Sequence, residues 1–128
     1  MADLTGGHLV ARTLARAGVG YDAIDVPSAT RQGIVVAYTP GLLNEAVADF
    51  AFGLLLAIAR RIHLGHLHMS HGDWKTPWGE DVHGKTLGIV GCGRIGAAAA
   101  LRAQAFGFDV VIHDPPLRDG VETSLGAR

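Results

Sequence analysis

"GKTLGIVGCGRIGAAAALRAQAFGFDVVIHDPP", residues 84–116, decides the fold. Thr86–Val90 is a short apolar run of strand length. Gly91-Cys-Gly93-Arg-Ile-Gly96 follows it and matches the spacing G-x-G-x-x-G. Arg94–Phe106 is rich in alanine, which favours a helix. Asp109–His113 is a second β-branched strand, closed by Asp114 and by Pro115 and Pro116, which cannot extend a ladder. Strand, glycine turn, helix and strand make a parallel βαβ unit, because parallel neighbours need a crossover.

Each glycine of the turn has its own task. Gly91 permits a sharp exit from the strand. Gly93 lacks a Cβ, so a pyrophosphate can approach the backbone. Gly96 lets the helix lie close on the strand. The N–H groups of Arg94 and Ile95, in the first helical turn, have no intrahelical acceptor and sit at the positive end of the helix dipole. Asp114 stands 18 residues after Gly96. A carboxylate there can accept from the adenosine ribose hydroxyls and would repel a 2′-phosphate, which favours NAD over NADP. The expected cofactor-binding residues are therefore Gly91, Gly93, Arg94, Ile95, Gly96 and Asp114. A structural glycine turn is the bland alternative, and Arg94 reads equally well as a solvated first-turn residue.

Upstream, Asn44–His63 has the strongest helical pattern. Asn44 can cap it, and Glu45 and Asp49 suit its positive end. Phe50, Phe52, Leu54, Leu55, Leu56 and Ile58 extend round most of the cylinder, so burial on several sides is expected, within a core or against a partner. Ile34–Ala37 reads as a strand and residues 39–41, "TPG", as a turn. Asp25–Gln32 reads as a short helix capped by Asp25, with Pro27 in its first turn and Gly33 ending it. Thr5–Ala17 suits a helix face, although Ala17–Tyr21 could equally end a short strand. Residues 71–84 form a polar loop, in which Trp74 and Trp78 are expected to pack between domains. Residues 117–128 show no periodicity and read as a tail.

Three blocks now stand in order: "RAGVGYDAIDVPSATRQGIVVAYTPG", "NEAVADFAFGLLLAIARRI" and the glycine-turn segment. Together they resemble the D-isomer-specific 2-hydroxyacid dehydrogenases, over about residues 14–116. The resemblance implies an α/β fold: a partial Rossmann-like parallel βαβ unit with a long apolar crossover helix, preceded by a fragment of a flavodoxin-like substrate domain. It divides the chain into residues 1–43 (partial substrate-domain segment), 44–83 (linking helix and loop), 84–116 (first βαβ of the NAD-binding domain) and 117–128. It implies NAD as cofactor. It also places the family's catalytic arginine, glutamate and histidine in the second half of the cofactor domain, so no residue here is assigned a catalytic role. Two features depart from the pattern. Ala23 stands where the family commonly has asparagine, and the opening "TGGHLVARTLARAGV" does not look like the family; it faintly resembles the first helix of thiamine-diphosphate-dependent enzymes.

Bulk properties narrow the partners. The 128 residues carry 11 basic and 12 acidic side chains, a net charge of −1. No basic field is present to hold nucleic acid or an anionic membrane. Apolar residues make up 48%, enough for a core. The one cysteine, Cys92, cannot form an internal disulfide, and no signal peptide is visible, so a soluble cytoplasmic protein is expected. His63, His66, His68 and His71 could pair at helical spacing to bind zinc. No cysteine or carboxylate motif completes such a site, and the bland reading is a polar helix end; no metal is expected. Cys92 reads as filling space beside the nucleotide, and Glu45 with Asp49 as dipole partners rather than an acid pair. Three functions remain open: an NAD-binding piece of a dehydrogenase, not catalytic by itself; a non-catalytic protein that dimerises through helix 44–62; and an activity rebuilt across two copies. A homo-oligomer through helix 44–62 is expected in each case.

Overall fold

The computed structural model describes residues 11–115. The chain forms two compact units, residues 1–43 and 44–128.

In the first unit, β1 (Thr13–Arg16) pairs in parallel with β2 (Val35–Tyr38), with Thr13 opposite Val35 and Arg16 opposite Tyr38. Helix α1 (Val26–Arg31) makes the crossover. Its start follows the capping chemistry: the Asp25 carboxylate accepts from the Ser28 N–H at 2.9 Å. Gly33, at φ 68°, carries the chain out of the helix, where few residues other than glycine are comfortable. Thr39 ties the far end, donating its own N–H to the Gly18 carbonyl at 3.0 Å and accepting the Gly18 N–H on Oγ1 at 3.0 Å.

Thr5–Ala17 was expected to suit a helix, and its described part is a strand instead. The helical spacing of Leu14 and Ala17 is outweighed by a ladder partner some twenty residues away, which a local period cannot register. The strand alternative was right in kind but misplaced, since β1 ends at Arg16 and residues 17–21 are irregular. The opening and the tail from residue 116 lie outside the described residues.

The second unit holds α2 (Asn44–Ala59), α3 (Ile62–Ser70), β3 (Thr86–Val90), α4 (Arg94–Ala105) and β4 (Asp109–His113). Strands β3 and β4 are parallel, with Thr86 opposite Asp109 and Val90 opposite His113. Leu87 and Ile89 point to one face of the sheet, where α4 brings Ala100 and Ala103 and β4 brings Val110. The small alanines let α4 lie close to the strands. Phe52 of α2 enters the same core, with its ring 5.5 Å from that of Phe106 and 6.5 Å from that of Phe108. Val90, on the opposite face, is 86% exposed.

The expected single helix over 44–63 is broken. Arg61 adopts a left-handed conformation, φ 54°, and separates α2 from α3. A loop packs against the break. Glu80 donates its N–H to the Ala59 carbonyl at 2.8 Å, and Arg60 pairs with Asp81 at 2.9 Å. Gly79 lies so close that a Cβ there would stand 2.6 Å from the Ala59 carbonyl oxygen. Within the single chain α2 is buried on one side only, which leaves burial of its outer face to a partner. Ala48 and Phe52 are buried, but Phe50, Leu54 and Ile58 are 67%, 50% and 70% exposed. No described helix is long and apolar enough to cross a membrane.

Candidate functional site: the glycine turn

The turn is built where β3 runs out. Gly91 leaves the strand at φ 93°, a conformation that a side chain would strain. Its N–H still donates to the His113 carbonyl at 2.9 Å, one step beyond the ladder. The Cys92 N–H donates to Asp114 Oδ2 at 2.6 Å. Gly93 then caps α4, and its carbonyl accepts the Ala97 N–H at 2.9 Å.

The three glycines differ in what surrounds them. A Cβ on Gly93 would meet nothing within 4 Å, so the backbone there is open to an approaching group. A Cβ on Gly96 would run into the Gly91 carbonyl oxygen and would stand 3.6 Å from Ile89 Cγ2. Gly96 therefore serves the contact between helix and turn, whereas Gly93 leaves a space. Arg94 is exposed and Ile95 is 36% exposed, so the first turn of α4 is reachable from outside. These features fit a dinucleotide: an open concave backbone, N–H donors at a helix start, and a carboxylate at the end of the neighbouring strand. All six expected residues come together at the carboxyl ends of β3 and β4.

The other candidates are placed elsewhere. Glu45 and Asp49 are more than dipole partners, because together they hold Arg102 of α4. Arg102 reaches Glu45 at 2.8 Å and Asp49 at 2.6 Å, and its Nη1 donates to the Ala98 carbonyl at 2.9 Å. Hydrogen bonding to Glu45 first, then to Asp49, raises the guanidinium pKa above its ordinary value. Sequence reasoning missed Arg102. The available signal was two acids at i,i+4 spacing on α2, a fork suited to one guanidinium.

His63, His66 and His68 lie on α3, with His71 as its C-cap. His71 Nδ1 lies 2.8 Å from the Leu67 carbonyl, and His68 lies 3.7 Å from Asp73. Among the described residues, no group of three or more histidine, cysteine or acidic side chains could hold a metal ion. Trp74 and Trp78 are 87% and 85% exposed. Cys92 is buried, at 8% exposure. A cavity of about 510 Å³ lies at the opposite ends of the strands, lined by Leu55, Ile58, Lys85 and Phe108 among others. Dinucleotides bind open parallel sheets at the carboxyl ends, so this cavity is not part of the glycine-turn site.

Fold and turn together define a dinucleotide-binding βαβ unit. The sequence signature of the D-isomer specific 2-hydroxyacid dehydrogenase NAD-binding domain matches residues 52–128, and the chain belongs to that family. A glyoxylate reductase of Korarchaeum cryptofilum is 50% identical over 121 residues, covering 90% of this chain and 36% of that protein. The crystal structure of apo D-lactate dehydrogenase from Escherichia coli superposes with a TM-score of 0.80 at 28% identity, over 91% of this chain and 37% of that one. An NADPH-dependent glyoxylate/hydroxypyruvate reductase from Sinorhizobium meliloti, solved with NADP and malonate, gives 0.76 at 40% identity, over 86% of this chain and 36% of that one. The chain thus spans little more than a third of the length of these relatives.

Proposed function

We propose that these residues are the cofactor-gripping part of a D-2-hydroxyacid dehydrogenase. Gly91–Gly96 holds the pyrophosphate of NAD, with N–H donors from Arg94 and Ile95, and Asp114 accepts from the adenosine ribose. The observation that carries this reading is the empty space over Gly93 beside the tightly filled one at Gly96. A pyrophosphate needs the open approach at Gly93, and the helix needs the close one at Gly96. When bound, NAD supplies the oxidation–reduction chemistry, interconverting a 2-hydroxy acid and a 2-oxo acid. The names of the relatives point to a small substrate such as glyoxylate.

No residue of this segment is assigned a catalytic role. Reducing a carbonyl requires an acid and an electrostatic partner within hydrogen-bond reach of it. The family resemblance places both beyond the segment these residues match. NAD is preferred to NADP because Asp114 would face the 2′-phosphate. Calorimetry with NADH should show saturable one-to-one binding. No heat at millimolar NADH would defeat the reading. Lone Cys92 and a nicotinamide cofactor support a reducing, cytoplasmic setting, and the net charge of −1 offers nucleic acid and membranes no attraction.

A second reading is favoured by one observation, the exposed apolar stripe of α2. It makes this helix the contact between two copies, and it is compatible with cofactor binding.

A further inference from the structure

Asp114 makes a contact that ribose recognition does not require. The β3–β4 ladder ends at Val90 and His113. Past that point two successive N–H groups of the turn remain tethered to the other strand, Gly91 to the His113 carbonyl at 2.9 Å and Cys92 to Asp114 Oδ2 at 2.6 Å. The first bond is between backbones and is available to any sequence. The second depends on the side chain at position 114. It is a charge-assisted bond across 22 positions of sequence.

We propose that Asp114 is a latch on the glycine turn, a positioning residue that holds the phosphate-binding backbone in shape and thereby couples the choice between NAD and NADP to the geometry of the pyrophosphate site. This rests on the NAD-binding reading above. One carboxylate oxygen accepts from Cys92, and the other is left for the ribose hydroxyls. The Cys92 N–H is occupied by the latch, so the phosphate is met by the donors that follow it on α4. The charge that rejects a 2′-phosphate thus belongs to the group that shapes the turn.

The consequence separates two substitutions that a ribose contact alone would treat alike. Asp114→Asn removes the charge but keeps an oxygen able to accept from Cys92. Asp114→Ala removes both. Amide hydrogen exchange of the full 128-residue chain, measured by NMR without cofactor, reads the latch directly. In Asp114→Ala the Cys92 amide should exchange about ten- to a hundredfold faster than in the wild type, while Ile89 is unchanged. In Asp114→Asn it should stay within about threefold, since a neutral acceptor remains. In the wild type itself, a scalar coupling across the hydrogen bond should connect the Cys92 amide nitrogen with the Asp114 side-chain carboxyl carbon. This last measurement decides the matter even where the alanine variant does not fold. Titrations with NAD and NADP add a second readout: the asparagine variant should gain more NADP affinity than the alanine variant.

Unchanged Cys92 exchange in Asp114→Ala, or no coupling between the Cys92 amide nitrogen and the Asp114 carboxyl carbon in the wild type, would overturn the latch. Equal NADP gain in both variants would do the same. Failure of the wild type to bind NAD would defeat the cofactor reading instead, with the exchange data standing apart from it.

Discussion

Gly93 and Gly96 look interchangeable in a pattern and are opposites in space. A side chain at 93 would enter an open region, whereas one at 96 would collide with the Gly91 carbonyl. Gly93→Val is therefore expected to cost at most about 1 kcal/mol of stability, the effect of a poor N-cap, while abolishing NAD binding. Gly96→Ala should destabilise by about 1–3 kcal/mol, because helix and turn must separate. Urea unfolding and calorimetry on the two variants check the contrast. Equal stability losses would mean that the two glycines do not divide their tasks in this way. The sequence made this site legible because glycine requirements are local: the three positions, the helix start and the acid all lie within one short segment. What it hid was the bond from the Cys92 N–H to Asp114 and the identity of Arg102 as the partner of Glu45 and Asp49, since spacing shows an acidic fork but not which distant residue fills it.

At the scale of elements, local signals succeeded where the cause was local. Asp25 capped α1 and Gly33 ended it, and β3, α4 and β4 fell within about a residue of their expected limits. The break at Arg61 was invisible because no glycine or proline marks it; residues 79–81 pack against it from outside the helix. Gly79→Ala tests that account. Its methyl would press on the Ala59 carbonyl oxygen and Arg60 Cα, standing 2.6 Å from each. The variant should lose about 1–3 kcal/mol in urea unfolding, with faster amide exchange at Glu80 as the loop lifts from the helix end. Unchanged exchange at Glu80 would mean that the loop does not hold the break in place. Phe52 is the complementary position. It is 6% exposed and joins α2 to the sheet core. Phe52→Ala should cost about 3–5 kcal/mol, enough to unfold a unit of this size.

For the molecule as a whole, the question is what meets the outer face of α2. Phe50, Leu54 and Ile58 recur at helical spacing along one side of the helix, while Ala48 and Phe52 occupy the other. Fully burying one such side chain is worth about 1.5–3 kcal/mol, so leaving three in water forgoes a large share of a small protein's stability. A net charge of −1 offers little repulsion to keep two copies apart. The 128-residue chain is accordingly expected to sediment as a dimer or larger assembly, with α2 facing α2 across a two-fold axis. Phe50→Asp with Leu54→Asp is the informative double variant, since both side chains lie at the surface, neither lines the cavity, and their replacement leaves the Phe52 core untouched. It should sediment as a monomer whose helical circular dichroism is retained. Leu55, by contrast, is half-buried and lines the cavity beside Lys85 and Phe108, so a charge there would confuse loss of fold with loss of assembly. A wild-type chain that sediments as a folded monomer would refute the α2 interface. A double variant that remains as large as the wild type would place the contact on another surface.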